Sequence, residues 1–131
     1  MQLVVGVAVV HGGRVLAARR CRPAESAGGW EFPGGKVDAG EEAAAAAVRE
    51  VREELGCEVA VTGWLEPQVP IRDGLVLRVA TAALVDGEPV PRADEHDAVR
   101  WLRADQLDEV AWLPADRPFT GPLRKALAAP D

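Results

Sequence analysis

Two hydrophobic spacings divide this chain: short apolar or extended runs that suit strands, and one longer stretch with helical period. Leu3–Val10 is a continuous apolar run ended by His11-Gly12-Gly13, after which Arg14–Arg19 resumes an extended pattern. The glycine pair predicts a hairpin, and the unbroken run predicts a strand buried on both faces. Arg22–Gly29 reads as a loop, and Trp30-Glu31-Phe32 as a short extended entry to Pro33-Gly34-Gly35. A helix is predicted over about 41–55, stopped by Gly56. Beyond it, Glu58–Trp64 and Leu75–Val85 are strand candidates, with Asp86-Gly87 a turn after the second. Ala98–Leu102 is a further short strand, Ala104–Asp108 one helical turn, and Pro122–Ala128 a terminal helix with Pro122 near its first turn. Strands on both sides of a helix, plus a second helix, predict an α/β fold with a mixed sheet covered on both faces.

The central helix carries two faces. Ala44, Ala47, Val48, Val51 and Leu55 fall within an arc of about 100° and predict a burial stripe. Glu50, Glu53 and Glu54, at i, i+3 and i+4, crowd a second arc centred about 120° away. Five residues reading EVREE can be a solvated acidic face, although a helix charged only for solubility more often mixes Lys with Glu at i, i+4. Crowded carboxylates repel unless a cation sits between them. Hard divalent ions such as Mg²⁺ or Mn²⁺ take oxygen ligands and complete their shells with substrate phosphates.

Charge and length narrow the classes. At 131 residues the chain is expected to form one domain, residues 1–131. Fifteen Lys+Arg against 21 Asp+Glu give a net charge of −6, which disfavours a nucleic-acid polymer as partner. A small phosphate ligand would need cations of its own, from metal ions or a few arginines. Leu3–Val10 is too short to span a bilayer and lacks the marks of a signal peptide, so a cytoplasmic protein without a membrane partner is expected. Cys21 and Cys57 are expected to be reduced there. A monomer and a homodimer are both compatible with the sequence.

Gly35, five residues, Glu41, seven residues, then Arg49-Glu50-Val51-x-Glu53-Glu54-x-Gly56 resembles the Nudix box of the Nudix hydrolases. Cys57 departs from the aliphatic residue usual at the next position, and free Cys packs as a small hydrophobe. The flanks extend the likeness toward MutT-type nucleoside triphosphate pyrophosphohydrolases. Arg19-Arg20, ten residues, then Glu31-Phe32-Pro33-Gly34-Gly35-Lys36-Val37 looks like the run leading into their box. Trp112-Leu113-Pro114-Ala115-Asp116-Arg117-Pro118 resembles the base-reading segment of those acting on oxidised guanine or cytosine nucleotides.

The resemblance implies an α/β/α sandwich and a set of roles. Glu50, Glu53, Glu54 and the Gly34 carbonyl would bind the metal, with Glu95 a late ligand from a loop. Glu53 or Glu50 would hold or deprotonate the attacking water, and Arg49 would pair with Glu41. Arg20 would contact phosphate, Phe32 and Lys36 would meet the substrate, and Asp116 would read the base. For Asp116, helix capping is the alternative, since Asp is a favoured N-cap. Arg19 and His96 are expected to be structural and His11 exposed. Trp64, Trp101, Trp112 and Phe119 are expected in the core or pocket wall, with Trp112 or Phe119 the better candidates to stack on a base. The implied reaction is metal-dependent cleavage of a nucleoside triphosphate, 8-oxo-dGTP or a cytosine nucleotide (CTP, dCTP, 5-methyl-dCTP), to the monophosphate and pyrophosphate. A Nudix enzyme of another nucleoside diphosphate derivative such as ADP-ribose is the enzymatic alternative. A non-catalytic nucleotide-binding module would be expected to lose the box acids.

Overall fold

Strand β1 (Gln2–His11) is the axis of the molecule, which a computed structural model describes over residues 2–128. It pairs in parallel with β7 (Leu75–Asp86) from Gln2↔Leu75 to Val10↔Ala83. Its other edge is shared. The His11 end meets β2 (Arg14–Arg20) across the glycine turn, and Val4–Gly6 pair with β4 (Gly34–Lys36). Outward from β2 lie β3 (Trp30–Glu31) and β8 (His96–Leu102); outward from β7 lie β5 (Glu58–Trp64) and β6 (Val69–Arg72). The result is one mixed sheet.

Both faces of β1 are buried, as its continuous apolar run predicts, and the two-residue period sorts its side chains between two cores. Val5, Val7 and Val9, with Leu16 of β2, pack against helix α1 (Ala43–Leu55) through Ala46, Ala47, Val51 and Leu55. Ala8, Val15, Ala17, Leu77 and Val79, with Leu102 of β8, face the opposite way, onto Leu107, Phe119 and Leu123 of the C-terminal layer. That layer comprises the 3₁₀ turns Ala104–Glu109 and Arg117–Phe119 and helix α2 (Thr120–Ala128). None of the described helices is long and apolar enough to cross a membrane.

The structure changes several expectations. Pro33-Gly34-Gly35 is not a bare loop, because Gly34–Lys36 form β4. Val69–Arg72 is a strand despite Pro70, which its position against β7 alone tolerates. Helix α1 begins at Ala43 and not at 41, since the Glu41 carboxylate is drawn onto Arg49. Ala44 is exposed and Ala46 buried in its place. The buried arc is centred closer to Glu54, which is therefore inside the core contact and not beside it. Cys57 packs in the α1-side core, as expected for a small hydrophobe, and burial pushes its thiol up.

Candidate active site

Helix α1 presents its three acids at graded depth. The side chain of Glu53 is 51% exposed, that of Glu50 16% and that of Glu54 5%. The loop between Gly34 and the helix is held by Arg49, whose Nε and Nη2 donate to the two carboxylate oxygens of Glu41 at 2.8 and 3.0 Å. Nη2 also reaches the Lys36 carbonyl at 3.1 Å, and Nη1 reaches Glu50 at 3.0 Å and Glu53 at 3.2 Å. The expected Arg49–Glu41 pair is present, and one guanidinium fixes three of the acids. The pairing holds the Glu41 carboxyl down at about 2.

Two glycines let β4 approach this face. A Cβ on Gly35 would lie 2.6 Å from the Glu50 carboxylate, and one on Gly34 would collide with the Val5 carbonyl. The Gly34 N–H donates to Glu54 Oε2 at 2.9 Å. Burial first, then the carboxylates of Glu95, Glu50 and Glu31, push the Glu54 carboxyl up to about 9. Burial also raises Glu50. Such a group is short of positive charge.

Glu95 arrives on the segment after β7, which is pinned to the end of α1. The Val90 N–H donates to the Leu55 carbonyl at 2.9 Å and the Arg92 N–H to the Glu54 carbonyl at 3.3 Å, so the loop satisfies two of the helix's last carbonyls. Its neighbours are engaged elsewhere: Asp94 pairs with Arg92, and Asp97 with Arg19 at 2.7 Å. Arg19 is thus a surface ion-pair partner that also lies over the Trp30 ring.

Beside the acid face opens a cleft of about 540 Å³, a size suited to a small ligand. Arg20, Glu31, Phe32, Ile71, Leu113 and Asp116 are among its walls. The segment carrying Asp116 is zipped onto β3, with the Trp30 N–H donating to the Ala111 carbonyl and the Leu113 N–H to the Trp30 carbonyl. Although Asp116 stands at the N-cap of the turn Arg117–Phe119, it makes no capping bond. Its carboxylate accepts instead from the Phe32 N–H at 3.2 Å. Burial, with the Glu31 charge second, raises its carboxyl to about 7, so near neutrality it can offer either a donor or an acceptor.

Aromatic placement corrects one expectation. Trp112 and Phe119 do not line the cleft; Phe119 is wholly buried, and Trp112 spends its indole N–H on the Leu107 carbonyl. Phe32 is the aromatic on the cleft side, tilted against Trp112 with ring centroids 4.8 Å apart. Lys36 is exposed and outside the cleft wall. Trp64 and Trp101 are partly buried against the α1-side core, and His11 is exposed.

Sequence reasoning passed over Glu31 and set His96 aside as structural. Among the described residues the buried polar or charged side chains are Glu54, His96 and Asp116, and all three converge here. His96 Nε2 lies 2.8 Å from Glu31 Oε2, which also accepts from Arg20 Nη1 at 3.0 Å. The NUDIX domain profile matches residues 1–123. This chain belongs to the Nudix family. It is 46% identical over 104 residues to the Mycobacterium tuberculosis (strain H37Rv) protein named "Putative 8-oxo-dGTP diphosphatase 2", covering 77% of this chain and 72% of that one. To the CTP pyrophosphohydrolase of Escherichia coli (strain K12) it is 35% identical over 98 residues, 75% of this chain and 73% of that one. Its fold matches the crystal structure of a MutT NUDIX hydrolase from Burkholderia pseudomallei with a TM-score of 0.77 and 33% identity, over 93% of this chain and 97% of that one. The solution structure of the E. coli ORF135 protein matches with a TM-score of 0.78 and 32% identity, over 98% and 91%. The α/β Nudix fold and membership among MutT-like Nudix hydrolases follow. Nudix hydrolases generally use a divalent metal, and the donor set fits one: clustered carboxylates, a buried Glu54 short of positive charge, and backbone brought close by two glycines.

Proposed function

We propose that the protein is a nucleoside triphosphate pyrophosphohydrolase that uses Mg²⁺ or Mn²⁺ and converts 8-oxo-dGTP or a cytosine nucleotide to the monophosphate and pyrophosphate. The observation that carries this reading is the junction of an acid helix face with a ligand-sized cleft whose wall holds Phe32 and a buried Asp116. The names of the mycobacterial and E. coli relatives support both base classes.

Glu50, Glu53, Glu54, Glu95 and the Gly34 carbonyl would hold the cation. When bound, the ion neutralises charge on the phosphoryl oxygens and lowers the pKa of water toward neutrality. The protein's own groups do the rest. Arg49 fixes Glu50 and Glu53 so that one of them holds the attacking water and takes its proton. Arg20 has its guanidinium anchored by Glu31 and the Arg22 carbonyl, and it meets phosphate with the donors that remain. Lys36 adds a flexible positive charge outside the cleft. Phe32 offers an apolar surface to the base, and Asp116 bonds to its polar edge.

Pyrophosphate release from 8-oxo-dGTP, dGTP, CTP, dCTP and 5-methyl-dCTP, with Mg²⁺ and with EDTA, tests the proposal. Metal-dependent turnover of one base class is expected. Turnover of ADP-ribose with none of the triphosphates would refute it.

A further inference from the structure

Strands β2 and β8 run in simple register from Val15↔Leu102 to Arg19↔Ala98, and then Arg20 pairs with His96. Asp97 is the extra residue of a β-bulge. Because strand side chains alternate, this single insertion swaps the faces of everything before it. Val99 and Trp101 pack on the α1-side core, while Ala98 and Leu102 pack on the other. In unbroken register His96 would follow Ala98 and Leu102, away from α1. The bulge turns His96 toward Glu54 and leaves Asp97 to pair with Arg19 on the opposite side.

The re-aimed imidazole is wholly buried between two carboxylates. Glu31 is a carboxylate ion-paired with Arg20 and so only accepts, which makes His96 Nε2 the donor of the 2.8 Å contact. At the other edge, Nδ1 has no hydrogen-bond partner and stands 3.8 Å from Glu54 Oε1. A leucine would pack such a space without this unpaired atom. The ring is therefore a rigid spacer: bonded to the Arg20–Glu31 pair at one edge and backing the Glu54 carboxylate at the other, with Glu54 Oε2 held by the Gly34 N–H.

We propose that His96 is a positioning residue that keeps the substrate arm, Arg20 with Glu31, in register with the cation face at Glu54. This rests on the function proposed above, since it assumes a cation at Glu54. Groups that orient metal ligands from behind usually change affinity or activity by tenfold to a hundredfold when removed.

The test is Mn²⁺ binding followed by electron paramagnetic resonance without nucleotide, together with kcat, KM and melting temperature, on three variants. His96→Leu removes both edges, and about a tenfold or greater loss of Mn²⁺ affinity is expected with a folded protein. His96→Gln places an amide N–H near the Nε2 position and should restore KM more than Mn²⁺ affinity. His96→Asn places its amide near Nδ1 and should do the reverse. Wild-type Mn²⁺ affinity, kcat and KM in a folded His96→Leu protein would overturn the proposal. So would Gln and Asn variants whose losses simply track melting temperature, or the failure of all three to fold, since each marks a purely structural histidine. A wild-type protein that binds Mn²⁺ but turns over no triphosphate would refute the function instead, and the Mn²⁺ readout would still judge His96.

Discussion

The Glu50 carboxylate lies against the bare Cα of Gly35, where a methyl group would sit 2.6 Å from it. Gly35→Ala should therefore push Glu50 off its position between Arg49 and the Gly35 backbone while leaving both cores intact. A displacement of about 1 Å at a reacting centre can cost on the order of 100-fold in rate. We expect a loss of that order in kcat, with a circular dichroism spectrum like that of the parent. Full activity in the Gly35→Ala protein would show that Glu50 has no fixed role in the reaction.

Glu53 contrasts with its neighbours because half of its side chain is in water. Replacing it by Gln removes a charge and no core volume, so stability should change by no more than about 0.5 kcal/mol. Turnover should fall by on the order of 100-fold or more. Steady-state kinetics at saturating Mg²⁺, beside a thermal melt, separates the two effects. Near-parental kcat would remove Glu53 from the machinery.

Chelation should stop turnover without unfolding the chain. The apolar contacts of Ala46, Ala47, Val51 and Leu55 hold α1 on the sheet whether or not an ion is present. A cation binding only the folded acid face should raise the melting temperature as its concentration exceeds Kd. Calorimetry in EDTA and across a Mg²⁺ series reads both. If EDTA itself melts the protein, the ion has a structural role.

Asp116 gives a pH signature of known sign. Its carboxyl is raised to about 7 in the folded chain from 3.8, so the folded state keeps a proton that the unfolded state gives up between those values. Its stabilising contribution is complete below about pH 4 and is lost as pH rises through about 7. Asp116→Asn should be increasingly more stable than the parent across that window, and the advantage should level off above it at a few kcal/mol at most, at about 1.4 kcal/mol per pH unit. Glu54 adds its own slope toward about 9, and the difference between the two proteins cancels it. Urea titrations at several pH values measure that difference. A flat difference would mean that the carboxyl is not held protonated by its surroundings.

The same residue should govern selectivity. Asp116→Ala is expected to cost on the order of 1 to 3 kcal/mol in kcat/KM for the preferred nucleotide and much less for poor ones. The substrate panel would then flatten. An unchanged order of substrates would move base recognition elsewhere in the cleft.

Long periodic segments were legible from sequence because their pattern is set by burial. β1, β2, β5, β7 and α1 belong to this group. β4 and β6 were not legible, since Gly34-Gly35-Lys36 is poor in strand formers and Pro70 interrupts Val69 and Ile71, so both short segments exist by pairing with β1 and β7. Helical period gave the angles between Glu50, Glu53 and Glu54 but not which of them faces inward. That depends on how α1 docks, and docking buried Glu54 and left Ala44 in solvent. The box and the Glu41–Arg49 pair could be read by motif. His96 could not, because its face depends on a register shift invisible in a single strand, and Trp112 and Phe119 were drawn off the cleft by core packing.

The parallel pairing of β1 with β7 also governs when activity can first exist. The strand partner of Gln2 is Leu75, and Glu95, His96 and Asp116 follow later still. A chain leaving the ribosome thus carries every residue of the acid helix before the groups that complete the cleft have been made. Contacts between such distant segments form slowly and together. A chain ending before residue 116 would have its acid helix complete and yet lack Asp116 and the Phe119 and Leu123 that close the second core.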